Sequence, residues 1–374
     1  MSQRGGYSND VGQRLGSGAN LGVHRLSGTR KNHHFVPKFY FRMFSKDSKS
    51  ICVLNRASGH AYFRAPLKNQ AAKEWFYGDD VAETALGELE GKASAAFKRL
   101  IESQEPGSLD EETLTWVLAH ITVQRARTQA ARDAGQPMAD RFTQLQMEVA
   151  INTAPDLSEE KRRELLSAIP FMSADPVEAQ KLEMRVALEN CGSLADLLPL
   201  FLENRTNRPF IFGDAPSIFY NGYYGDVRLR GVLGFETPGL IAILPLGERL
   251  CLMLLDDQCY RLRGARDNRV IVRDLNDVAA LNKLQLHAAS DCVYFANAEH
   301  ADYVKHLWHA EKGALAPHLG KVVEAPAKSA ETGAPMGDLL HSFQPQLPYD
   351  LRLSFLKHPV LDDKHYLFSR RSER

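Results

Sequence analysis

Two adjacent histidines, His33 and His34, stand in the run Lys31-Asn32-His33-His34-Phe35-Val36-Pro37-Lys38-Phe39-Tyr40-Phe41-Arg42-Met43-Phe44. Imidazole is the side chain best suited to exchange a proton near neutral pH. Neighbouring residues do not share a face, however. On a strand they point to opposite sides, and on a helix they diverge by about 100°. The pair therefore does not read as a two-histidine metal site. Either one imidazole faces a reactive site, or one is a hydrogen-bonded structural histidine and the other is exposed. Val36-Pro37 fixes an extended or turn backbone. Phe39, Tyr40, Phe41 and Phe44 read as core, and Arg42 adds a planar cationic fork.

Three more places carry polar groups that could act together. Gln124, Arg127 and Thr128 share a helix face at i, i+3 and i+4. Arg127 could grip a phosphate or carboxylate from there, or the three could form a solvated stripe. Asp214 follows the apolar run Pro209-Phe210-Ile211-Phe212 on the turn Gly213-Asp214-Ala215-Pro216. Strand ends hold ligands in open sheets, although an aspartate there also makes a structural turn by accepting backbone N–H groups. Asn282 lies among Leu281, Leu284 and Ala289 on a helical stretch, which invites either a helix-to-sheet hydrogen bond or a site contact. Glu74 is a weaker candidate. The sequence has no GxSxG, Walker, HExxH or zinc-nuclease spacing. Asp256-Asp257 reads as a solvated turn. The GSGANLG segment near the N-terminus neither follows a strand nor opens a helix, so it does not read as a phosphate loop.

Composition narrows the class. The chain has 374 residues, 44% hydrophobic and 25% charged, with a formal net charge of +0. That suits two to three domain-sized units or one large one. Neutral charge gives no global drive toward DNA, RNA or anionic lipid, so any such contact needs a local basic patch. The scattered cysteines Cys52, Cys191, Cys251, Cys259 and Cys292 form no CxxC pair, and they read as reduced, mostly buried thiols of a cytoplasmic protein. No apolar run approaches the roughly 20 residues that span a bilayer, and the N-terminus lacks a signal-peptide core. No motif names a metal or a cofactor.

The elements that must position these residues change character along the chain. Residues 1–30 are rich in Gly, Ser and Asn and read as a disordered tail. Residues 31–80 carry the histidine motif and a hairpin, Ile51–Arg56 against His60–Arg64. Residues 81–205 read as an almost wholly helical block, with one helix from Leu109 to about Ala134, another from Pro137, and a last one resuming through Ala195 to Asn204. Residues 206–325 return to strands with two helices, and 326–374 read as a linker and a loosely docked tail with an optional edge strand. The order predicts an α+β fold: a mixed or antiparallel sheet core built from N- and C-terminal strands, with a long helical insertion.

The opening motif resembles a bacterial family known only as a domain of unknown function, numbered 4238, whose members begin His-His-Tyr-Val-Pro-x-Phe-Tyr-Leu-Arg-x-Phe. Phe35 and Phe41 replace the Tyr and Leu, and Phe35 loses a hydroxyl. The family's Gln-x-x-Arg-Thr matches Gln124, Arg127 and Thr128. Of its Ser-Asp-Asn-Pro only Asp214 and Pro216 remain. Its Pro-Leu matches Pro245-Leu246, and its helical Asn matches Asn282. The resemblance runs over residues 31 to 297. It implies a shared site of His33 or His34, Gln124, Arg127, Asp214 and Asn282, a bacterial host, and a role in defence against phage.

Two functional expectations follow. In one, a histidine acts as acid or base on a nucleic acid or nucleotide, Arg127 clamps the anion, Asp214 orients or holds a metal, and Gln124, Thr128, Asn282 and Arg42 help bind. In the other, the protein is a non-enzymatic sensor or binding module. There the aromatic run and the Phe219–Tyr224 loop recognise a phage component, and the polar residues form a structural network.

Overall fold

The computed structural model describes residues 31–225, 231–328, 333–344, 346–357 and 370–371. The N-terminal tail, with its GSGANLG segment, lies outside the described residues. The chain begins with β1 (Asn32–His34), α1 (Lys38–Phe44), β2 (Ser50–Asn55), β3 (Ala61–Pro66) and β4 (Ala72–Glu74). Five helices follow: α2 (Asp80–Ser103), α3 (Glu111–Ala126), α4 (Gln129–Thr153), α5 (Glu159–Ala168) and α6 (Pro176–Glu189). Then come β5 (Leu198–Asn204), β6 (Phe212–Gly213), β7 (Ile218–Tyr220), β8 (Ile241–Gly247), β9 (Leu250–Leu255), β10 (Arg261–Leu262) and β11 (Arg269–Val272). The chain continues through α7 (Leu275–Ala288), β12 (Cys292–Phe295), α8 (Ala301–Glu311), β13 (Lys321–Lys328), β14 (Pro335–Phe343) and β15 (Leu356–Lys357).

The fold is α+β. A five-stranded sheet runs β11-β5-β9-β8-β7, and a four-stranded antiparallel sheet runs β3-β2-β12-β6. The second sheet joins strands from both ends of the sequence: β2 pairs with β12, Leu54 opposite Val293. Its side chains alternate as strand geometry requires. Ile51 and Val53 enter the large core cluster, while Cys52 and Leu54 face Val304, Leu307 and Trp308 of α8. β8 and β9 are apolar almost throughout and buried on both faces, the pattern of a strand covered from two sides.

The aromatic run forms α1. Tyr40, Phe41 and Phe44 are buried, and with Tyr294 they surround Phe212, their ring centres lying 4.5–5.3 Å from it. The Tyr40 hydroxyl donates to the Pro245 carbonyl. This cluster docks the motif onto both sheets.

Three boundaries differ from the sequence reading. The segment expected to resume as a helix to Asn204 is instead strand β5, inside the five-stranded sheet between β9 and β11. Leu198-Pro199-Leu200-Phe201-Leu202 is too apolar to spare a face for water, and pairing with β9 and β11 overrides its local pattern. Pro199 lies at the end that β11 does not reach, where a missing N–H is tolerated. The long helix expected from Leu109 breaks at Arg127, where ψ is 1°, and Thr128 caps a new helix by accepting the Ala131 N–H. That new helix, α4, then continues through Pro137. The stretch read as a linker and loose tail also differs. Lys321–Lys328 pairs with Pro335–Phe343, and Leu351, Leu353, Phe355 and Leu356 are buried, with β15 joining β10 as a short edge pair. Alternate apolar residues past 350 gave this part a face to bury.

Candidate functional site

Among the expected site residues, His33, His34, Gln124, Arg127 and Thr128 come together where β1 crosses the α3–α4 break. β1 pairs with β4, His33 opposite Lys73. The adjacent imidazoles diverge as strand neighbours must. His33 is fully buried. Its Nδ1 accepts the Tyr77 N–H at 3.1 Å, and its ring stacks on Tyr77 at 5.8 Å. His34 Nε2 meets the Lys68 carbonyl at 3.2 Å. Burial first, then the charges of Lys38 and Arg127, lower the His34 pKa to about 4, so it is neutral at pH 7.

Arg127 is the largest fully buried side chain among the described residues. Its Nε donates to the Tyr77 hydroxyl at 3.1 Å, one terminal nitrogen donates to Glu90 Oε1 at 2.8 Å, and the other donates to the His34 carbonyl at 2.5 Å. The Tyr77 hydroxyl in turn donates to the Arg127 carbonyl at 3.2 Å. Burial opposes the Arg127 charge, but Tyr77 and Glu90 outweigh it and hold the pKa above the ordinary arginine value. Gln124 Nε2 donates to the Phe35 carbonyl at 2.8 Å, while its Oε1 is buried without a partner. Two carbonyls of the opening motif are thus held by two side chains about ninety residues later. Gln180 closes the break from α6, donating to the Ala126 and Thr128 carbonyls and accepting from Arg132.

Asp214 and Asn282 form a second cluster. Asp214 Oδ1 accepts the Ser290 N–H at 2.7 Å, and its Oδ2 accepts those of Asp291 at 2.7 Å and Cys292 at 3.0 Å. Burial pushes its pKa up to about 6 against the pull of these donors. Asn282 accepts the Ile211 N–H and donates to the Pro209 carbonyl and the Tyr303 hydroxyl. Gln285, one turn later, accepts the Gly213 N–H and donates to the Pro216 carbonyl. The two amides stitch α7 to the strand that carries Asp214. A Cβ on Gly213 would lie 2.8 Å from the Gln285 carbonyl, so only glycine lets the strand approach this closely.

Among the described residues the two clusters hold separate sets of hydrogen-bond partners. Lys73 lies between them, donating to Gln129 Oε1 at 2.8 Å and reaching Asp291 at 3.7 Å. Arg42 stands apart, exposed on α1. The Phe219–Tyr224 loop turns inward, with Phe219, Tyr220, Tyr223 and Tyr224 all buried. Among the described residues no group of His, Cys, Asp and Glu is arranged to hold a metal ion. No described helix is long and apolar enough to cross a membrane.

The sequence reading missed Tyr77, Glu90, Gln180, Gln285 and His120. Tyr77 and Gln285 carried a faint signal, standing beside residues already singled out. His120 is sealed among Phe39, Tyr40 and Phe97, and its Nε2 has no partner. Burial and the Arg127 charge lower its pKa to about 3.

This arrangement defines an α+β protein whose opening motif is fastened from inside by arginine, glutamine and tyrosine. Residues 32–299 match the family model described as a protein of unknown function (DUF4238), and the chain belongs to that family. No curated protein and no solved structure gave a match.

Proposed function

We propose that this protein acts as a binding module, that the motif residues serve as its internal fastening, and that its partner is single-stranded nucleic acid met by the β2–β3 hairpin. The observation that carries this reading is the exposure of two adjacent aromatic residues on edge strand β3: Tyr62 is 54% exposed and Phe63 is 49% exposed. The His60 ring lies 4.6 Å from that of Tyr62, and Arg64 follows, exposed. The hairpin turn leans on Trp308, beside a cleft of about 440 Å³ lined by Arg56, Ala57, Trp308, Lys312, Gly313 and Leu315. Lys312 lies 5.1 Å from the centre of the Trp308 ring. Stacking faces interleaved with cations suit unpaired bases and their phosphates. This is the local patch that a neutral chain would need.

What supports binding over acid–base chemistry at the motif is that the Arg127 donors are engaged, both Asp214 oxygens are occupied, and His34 is neutral and bonded. A defence role would supply phage nucleic acid as one such partner.

The test is a titration of labelled single-stranded RNA and DNA. Stacking is worth about 1–3 kcal/mol per base, so Tyr62→Ala with Phe63→Ala should weaken binding by roughly tenfold or more. Lys312→Gln should lower the salt slope by about one. If the double variant binds as the parent does, or if the parent binds neither strand type, the reading fails.

A further inference from the structure

A cleft of about 360 Å³ opens where three neighbouring strands of the five-stranded sheet end side by side. Leu198 and Pro199 at the start of β5 line it, with Leu254 near the end of β9. β11 pairs with β5 only from Phe201 onward, so it leaves the first residues of β5 uncovered on that side. The Pro106–Ser108 turn packs beside them, and Leu114 and Leu118 of α3 add a further wall. The lining is apolar save for three side chains, Asp196, Asp257 and Asn268. Among the described residues no Lys, Arg or His enters it.

Asp196 shows what this rim accepts. Arg371 donates from Nε to its Oδ2 and from a terminal nitrogen to its Oδ1, both at 2.9 Å, the two-pronged geometry of a guanidinium on a carboxylate. The Ser193 and Thr237 carbonyls take further N–H groups at 2.5 and 3.1 Å, and the Arg371 side chain is left 4% exposed. Asp257 is different. It is exposed, and among the described residues it has neither a hydrogen bond nor an ion pair. Asn268 is held in place by its main chain, whose carbonyl accepts the Phe201 N–H at 2.8 Å. Its φ of +56° is one that asparagine tolerates. Its side-chain amide lies over Gly107, where a Cβ would come within 2.2 Å of Nδ2, and makes no hydrogen bond among the described residues.

We propose that this cleft binds a small organic cation, an ammonium or guanidinium head on an aliphatic body, with the head at Asp257 and the body against Leu114, Leu118 and Leu254. An apolar hollow of this size with a few placed polar groups is the usual form of a small-molecule site. Charge selects the occupant. An anion would meet two carboxylates and no cation, and a neutral aliphatic molecule would leave Asp257 unused. Arg371 already fills Asp196, so Asp257 is the carboxylate left for a ligand, and the Asn268 amide oxygen offers the head a second acceptor.

The full-length protein, titrated with hexylamine and separately with hexanoate and followed by NMR chemical shift, tests this. The probes share an aliphatic body and carry opposite charges. Saturable binding of hexylamine is expected, roughly tenfold or more tighter than hexanoate. Asp257→Asn, at an exposed position, should bring the two probes within about threefold of each other, a loss of charge preference that a merely structural role would not produce. Ala195→Phe fills the cleft from the exposed turn that lines it and should abolish hexylamine binding while circular dichroism stays that of the parent. The Tyr62→Ala, Phe63→Ala double variant should bind hexylamine as the parent does, which separates this site from the hairpin. The proposal is overturned if hexylamine does not saturate, if hexanoate binds as tightly, or if Asp257→Asn and Ala195→Phe both bind hexylamine as the parent does.

Discussion

The guanidinium of Arg127 holds the main-chain carbonyl of His34, 93 residues earlier, at 2.5 Å. The partner is a carbonyl, so the contact is indifferent to what side chain residue 34 carries. The two histidines and the arginine are brought together by backbone recognition and by Tyr77, which contacts both His33 and Arg127.

Removing the guanidinium should therefore be costly. Arg127→Leu leaves the His34 carbonyl, the Tyr77 hydroxyl and Glu90 without their shared donor. Losing one partner of a buried ion pair costs about 3–5 kcal/mol. Arg127→Lys should recover only part of this, since one ammonium cannot reach three acceptors set in a plane. Urea denaturation followed by circular dichroism measures both.

Asp214→Asn should cost about 1–3 kcal/mol, because one amide oxygen replaces two carboxylate oxygens that serve three N–H groups. Hydrogen exchange should quicken at Ser290, Asp291 and Cys292 while α3 stays protected. Equal loss across the molecule would contradict a local clamp.

Stability should fall in acid with a defined sign. His34 and His120 have pKa values lowered from 6.5 to about 4 and about 3. Below pH 6.5 the unfolded chain takes up protons that the folded chain refuses. Their contribution is complete above pH 6.5 and is lost as pH falls through about 4 and then 3. Asp214 works in the opposite sense: its folded value of about 6 lies above 3.8, so it adds stability as pH falls across that window. His120→Leu removes a buried nitrogen without a partner. It should be at least as stable as the parent at pH 7, and should gain about 2 kcal/mol more on the parent at pH 5. Urea midpoints at the two pH values give the answer.

Gly59 should not accept a side chain. Its φ is +70°, and a Cβ would lie 2.3 Å from the Trp308 ring. Gly59→Ala should destabilise by about 1–3 kcal/mol and shift tryptophan fluorescence, because Trp308 donates its indole N–H to the Arg56 carbonyl at 2.7 Å.

Much of this fold was legible where local pattern and tertiary need agree. The hairpin over residues 50–66, the strands at 241–255 and the helix from Leu275 all carried their own periodicity. Strand β5 did not, because its state is set by neighbours far along the chain that no window includes. Arg127 and Thr128 were read as mid-helix residues, since a helix break held by Gln180 from another helix leaves no mark on the broken sequence. The candidate residues were chosen for polarity and spacing. Those properties do not distinguish a side chain that meets a ligand from one that meets a carbonyl. The distinction for Asp214 lies in the N–H groups of residues 290–292, which a sequence shows only as main chain.

The pairing of β2 with β12 sets an order of events during synthesis. Asn55 leaves the ribosome well over two hundred residues ahead of its partner Cys292, and His34 leaves it some ninety ahead of Arg127. The first hairpin must wait with an unpaired edge while the helices and the larger sheet are made. That edge closes only once β12 has emerged, after α7 and ahead of α8.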